Sequence, residues 1–179
     1  MFYFFGTVVC LFCGNVAEII INATNMEIES YSRFVSPVIE EVFKALPIVI
    51  YAAFLNPRKR ALLECSLLLG IGFGMLENAY VIALYSDTIV LSDFIGRAFG
   101  SGMMHGVCTF AVGHGMTFIH KKNKGHYLLA VCIMISAIVY HFVYNNLILS
   151  PYKYIGFAMP VLAFIPLVLL IKKNTTDEE

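Results

Sequence analysis

The stretch PVIEEVFKALPIVIYAAFL, residues Pro37–Leu55, decides how the rest of the chain is read. Apart from Glu40, Glu41 and Lys44 it is apolar throughout, and its length suits a helix crossing a bilayer. Two adjacent carboxylates and an ammonium are costly guests in hydrocarbon, at roughly 2.5–3.5 kcal/mol each near the bilayer centre. Groups of this kind persist where they face a protein interior or a wet cavity, and there they mark function.

The surrounding composition supports a membrane setting. The chain has 179 residues, 59% hydrophobic and 13% charged, with a mean hydropathy of +0.79. Soluble domains carry about 25% charged residues. The formal net charge is zero, which speaks against a nucleic-acid partner. Six segments are long and apolar enough to span: Phe2–Ile21, Pro37–Leu55, Leu62–Tyr85, Phe94–Ile119, Tyr127–Leu149 and Tyr154–Ile171. Only helices or closed barrels satisfy their backbone in lipid, and these runs are too long and too apolar for barrel strands. The expected fold is therefore all-α: one transmembrane helix bundle over residues 1–179, of about six spans.

Basic residues set the orientation. Arg58, Lys59 and Arg60 follow the second span, Lys121, Lys122 and Lys124 the fourth, and Lys172 and Lys173 the sixth. Alternating spans place all three clusters on one side, which is expected to be cytoplasmic, with both termini. The first segment lacks a basic leader and a small-residue cleavage site, so it is expected to be a retained span. Its Cys10-x-x-Cys13 pair reads as small apolar side chains in a helix. Small-xxx-small spacing at Gly96/Gly100 and Gly102/Gly106 predicts close helix packing.

Four ionisable residues from four spans reach a similar depth. Counting about 1.5 Å per residue from the outer ends, Glu41 lies roughly 6 Å deep, Glu77 and His141 roughly 12 Å, and His105 roughly 12–16 Å. Lys44 is one helical turn from both Glu40 and Glu41, and Asn145 one turn from His141. A shared polar cavity in the outer half of the membrane follows. Carboxylates and imidazoles together suit water activation, with a glutamate as general base and histidine or asparagine donating to an oxyanion. Glu77, His105 and His141 also form a candidate three-ligand set for a divalent metal such as Zn²⁺, with an open fourth position. Neither a G-x-S-x-G elbow nor an H-E-x-x-H zinc motif is present.

These motifs resemble those of the PrsW family of intramembrane proteases. The resemblance rests on E-E-x-x-K at Glu40, Glu41 and Lys44, F-x-x-x-E at Phe73 and Glu77, His105 in the following helix, and H-x-x-x-N at His141 and Asn145, in that order across residues 37–149. The related prenyl-protein CAAX proteases carry E-E-x-x-x-R and F-x-x-x-H, from which this chain departs. The resemblance implies an integral protein of a prokaryotic cell membrane. It implies a peptidase that cuts a membrane-anchored protein substrate near the extracytoplasmic side, through glutamate-activated water with or without a metal. On that pattern Glu41 is expected to be the base, assisted by Glu40, with Lys44 pairing to them. Glu77, His105 and His141 are expected to hold water or metal, and Asn145 the oxyanion. Two other readings use the same cluster: a non-catalytic scaffold, and a proton or ion transporter. The paired glutamates weigh against a scaffold, and the lack of an inverted repeat weighs against a transporter.

Overall fold

The computed structural model describes residues 1–84, 87, 90–119 and 124–176, with side chains as far as residue 169. Among these residues the chain is all helix: α1 (Phe2–Thr24), α2 (Ile28–Phe34), α3 (Ser36–Leu55), α4 (Lys59–Leu84), α5 (Leu91–Ile119), α6 (Lys124–Ile148) and α7 (Lys153–Thr176). His120, Lys121 and Lys122 lie outside the described residues, as do the side chains of Lys172 and Lys173.

The six long helices among the described residues overlap the six expected segments in sequence. By length and apolar composition three of them qualify as spans, namely α1, α4 and α6. The shortfall in α3 and α5 has a physical cause. Glu40, Glu41 and Lys44 interrupt the apolar run of α3, while Arg97, His105 and His114 interrupt that of α5. In α7 the described apolar stretch is Lys153–Leu169. The short helix α2 falls where only a connecting loop was expected. With seven residues it is too brief to show a periodic pattern.

The distribution of polarity is inverted relative to a soluble protein. Phe4, Phe12, Phe54, Leu128 and Leu162 face outward, while Glu41, Lys44, His105 and His141 are buried. An exterior of large apolar side chains is what hydrocarbon accommodates. The molecule is a membrane helix bundle. Its central helix is α5, which touches α3, α4, α6 and α7, and α1 lies along α4.

Lipid supplies no hydrophobic drive for helices to associate, so close backbone contact must. Glycines supply it. Gly6 of α1 abuts the backbone of Leu69 and Phe73, and Gly72 of α4 abuts that of Tyr3. Gly96 and Gly100 seat Phe157 of α7, while Gly106 faces Leu67 and Ile71 of α4. At Gly74, an added Cβ would lie 2.9 Å from both the Cα of Gly102 and the Cδ2 of His105. Gly74→Ala is therefore expected to push His105 off its partners and cut activity by about tenfold or more. Gly14→Ala, with nothing within 4 Å of the new methyl, is the matched control expected to leave activity unchanged. Equal rates in the two variants would show that the α4–α5 spacing does not set the site.

Candidate active site

Helix α3 contributes Glu40, Glu41 and Lys44, all buried. It begins at Ser36 with Pro37 in its first turn, where a missing N–H costs nothing. Glu40 Oε1 accepts a hydrogen bond from Ser36 Oγ, one turn earlier. Lys44 Nζ donates to Glu41 Oε1 at 2.6 Å and lies 2.8 Å from His105 Nδ1. It also sits 4.8 Å from the centre of the Phe73 ring, whose face favours a cation.

The bonding fixes the tautomers. An ammonium only donates, so His105 Nδ1 accepts from Lys44. Its Nε2–H then donates to Glu77 Oε2 at 2.7 Å. Glu77 Oε2 also accepts from Ser101 Oγ at 3.1 Å. On α6, His141 Nδ1 donates to Glu41 Oε1 at 2.7 Å. Its Nε2 faces Glu40 Oε2 at 4.0 Å. The two imidazoles stand edge to face with centroids 4.9 Å apart. A continuous chain Glu77–His105–Lys44–Glu41–His141 thus ties α4, α5, α3 and α6 together.

Neighbouring residues on a helix point about 100° apart, and α3 is continuous helix through both glutamates. The His141 ring spans the gap, offering one nitrogen to each glutamate. The second oxygens of Glu40 and of Glu41 are buried with no hydrogen-bond partner among the described residues.

The six ionisable residues expected at the site, Glu40, Glu41, Lys44, Glu77, His105 and His141, come together. Asn145 is placed differently. Its Nδ2 donates to the carbonyl of Ser32 in α2 at 2.9 Å, and Arg33 beside it donates to the Leu149 carbonyl at 3.0 Å. Asn145 therefore fastens α2 to the end of α6. Asn78, adjacent to Glu77, donates to the carbonyl of Arg97 at 3.0 Å and links α4 to α5. His114 packs edge-on against Phe118 within its own helix, and its Nδ1 has no partner among the described residues. Ser36 and Ser101 went unnoticed in the sequence. Each lies one turn before a site residue, Glu40 and His105, and that i, i+4 spacing is the signal that marks them.

Among the described residues, the grouping able to hold a metal ion is Glu40, His105 and His141, whose donor atoms lie within 4.8 Å of one another. Glu77 was expected as the carboxylate of that set, but it hydrogen-bonds His105 and takes the orienting position beside a ligand. One carboxylate and two imidazoles are a donor set that zinc accepts. The buried, unpartnered oxygen of Glu40 fits that use. Both ring nitrogens of His105 are engaged, so it would release one partner on joining the set.

A family model described as PrsW family intramembrane metalloprotease matches residues 2–171 of the chain. No curated protein and no solved structure matches it.

Proposed function

The chain belongs to the PrsW family of intramembrane metalloproteases, and from that premise we propose how this peptidase cuts its substrate. It is an integral membrane protein whose substrates are membrane-anchored proteins. In the proposed topology six spans place both termini in the cytoplasm of a prokaryotic cell, and the single domain holds its cluster in the outer half of the bilayer. The scissile peptide bond lies at that depth, toward the extracytoplasmic side.

The observation that carries the mechanism is the placement of His141 between two glutamates, 2.7 Å from Glu41 and 4.0 Å from Glu40. A gap of 4.0 Å is one that a single water closes with two hydrogen bonds of about 2.8 Å. The proposed nucleophile is a water held by Glu40 Oε2 and His141 Nε2. Glu40 is preferred over Glu41 as general base, because Glu41 Oε1 is already shared by Lys44 and His141. Glu41 orients the imidazole, as the third member of a triad does, and Lys44 balances its charge.

Glu40 takes a proton as the water oxygen attacks the peptide carbonyl carbon. The resulting oxyanion meets the second amide proton of Asn145, the first being held by Ser32. Glu40 then returns the proton to the amide nitrogen, the C–N bond breaks, and a carboxylic acid and an amine leave. Glu77 holds His105 in its tautomer and so fixes Lys44. A divalent metal, held by Glu40, His105 and His141, would supply polarisation of the carbonyl and a more acidic water in place of proton transfer to Glu40.

The test is reconstitution of the purified protein with single-span proteins carrying a label at each end, followed by mass measurement of the fragments. One cut in the outer third of the span is the expected result. A cut on the cytoplasmic side would contradict the proposed orientation.

A further inference from the structure

Two hydrogen-bond donors near α5 Gly100 have no partner among the described residues. The hydroxyl of Tyr144 is buried with no partner among the described residues, and so is the Nε of Arg97. Tyr144 as a whole is 1% exposed. It stands one turn beyond His141 on α6, and its ring is part of the core with Met104, Cys108 and Ala137. Its hydroxyl rests against α5 at Gly100, where even a methyl group would come within 3.1 Å of the oxygen. Arg97 lies one turn before Gly100 on α5, and Ser101, the residue after Gly100, donates to Glu77 Oε2 at 3.1 Å. Glu77 is itself bonded to His105, so the two donors adjoin the reaction centre.

A buried donor without an acceptor is costly, and native structures keep few of them without a use. The position indicates what is missing. Gly100 precedes His105 by five residues on α5, or about 7.5 Å along the axis. An extended peptide advances about 3.3 Å per residue, so this distance equals about two residues of substrate. A span must unwind to be cut, and unwinding frees carbonyls that hydrocarbon cannot satisfy. The cluster already sets three carboxylates, Glu40, Glu41 and Glu77, against two cations, Lys44 and Arg97. A further carboxylate is disfavoured there, whereas a neutral acceptor is not.

We propose that Tyr144 and Arg97 form a substrate-binding subsite that donates hydrogen bonds to a backbone carbonyl about two residues from the scissile bond. The subsite rests on the peptidase reading of the cluster. It gives the glycine at position 100 a second use, as the seat of the hydroxyl.

Binding is measured with a synthetic single-span peptide weakened at its outer end by Gly-Pro, on full-length protein in nanodiscs carrying Glu40→Gln. Tyr144→Phe keeps the ring and removes only the hydroxyl, and Arg97→Gln leaves the core untouched. Each is expected to raise Kd about tenfold, the scale of one hydrogen bond lost. A thioamide in place of the matching peptide carbonyl is expected to cost the same with Tyr144 present and nothing further once Tyr144→Phe is introduced. Unchanged Kd in both variants would overturn the subsite and mean that the hydroxyl meets only water. A thioamide effect that adds to Tyr144→Phe would overturn it also. So would a preference for peptides bearing Asp or Glu that Arg97→Gln removes, which would mark a carboxylate site, or a failure of the peptide to bind the protein at all. Peptide that binds as expected but is never cleaved by the protein with Glu40 intact overturns the peptidase reading and leaves Tyr144 and Arg97 as a peptide-carbonyl site without a scissile bond.

Discussion

Glu40→Gln is expected to slow cleavage of a single-span substrate by about 10³-fold, within the range that a positioned base contributes. The substitution keeps the size of the side chain, and its amide oxygen still accepts from Ser36 Oγ, so the unfolding midpoint is expected to stay unchanged. The loss is in proton transfer. An amide oxygen can still hold the water opposite His141 Nε2, but it cannot take the proton at the moment of attack. The kinetic signature is accordingly a fall in kcat with little change in KM. Glu41→Gln differs. It weakens two charge-assisted bonds at once, to Lys44 and to His141, so activity and stability are expected to fall together. The contrast between neighbouring glutamates, measured by rate and by thermal unfolding, separates the base from the residue that orients its partner.

The second large effect is structural. Lys44→Ala removes the ammonium and leaves Glu41 as a buried carboxylate held by His141 alone. Breaking one side of a buried pair typically costs about 3–5 kcal/mol, and both partners here are at most 1% exposed. Unfolding in mild detergent is expected to show a loss of that size, with no cleavage. The pair Glu29–Arg33 gives the comparison: Glu29 is 62% exposed, and breaking such a pair costs about 1 kcal/mol or less. Replacing both partners, as Glu41→Leu with Lys44→Met, is expected to restore only part of the stability, because His105 Nδ1 and His141 Nδ1 then lose their partners, and none of the activity. If Lys44→Ala unfolded like the wild type, the charge pair would not be what holds α3 to α5 and α6.

Much of the site was legible before any coordinates, because charge inside an apolar run is a loud signal. The depth count brought Glu41, Glu77, His105 and His141 to one level, and helical spacing attached Lys44. Depth says nothing of direction around a helix axis, however, and the departures arise there. Glu77 and Glu40 both lie near His105, yet Glu40 joins the imidazoles while Glu77 orients one of them. Asn145 shares a face with His141 by spacing, and one of its amide protons is taken by Ser32. That contact could not be foreseen, because α2 was not expected to exist: a seven-residue helix between two spans has neither length nor periodicity to announce it. Tyr144 was hidden for the opposite reason. An aromatic residue in an apolar helix looks like core, and most of it is core; only its hydroxyl is not. The number of spans stands between these cases, since the charges that build the site are what make α3 and α5 less apolar than ordinary spans.

The most direct measurement is cleavage of a single-span protein by purified wild-type protein and by Glu40→Gln in matched liposomes made up in isotope-labelled water. The expected result is two fragments from the wild type, with labelled oxygen in the new carboxyl terminus and nowhere else, and intact substrate with Glu40→Gln. Fragments formed equally by both proteins, or a new terminus without label, would contradict a water activated by Glu40.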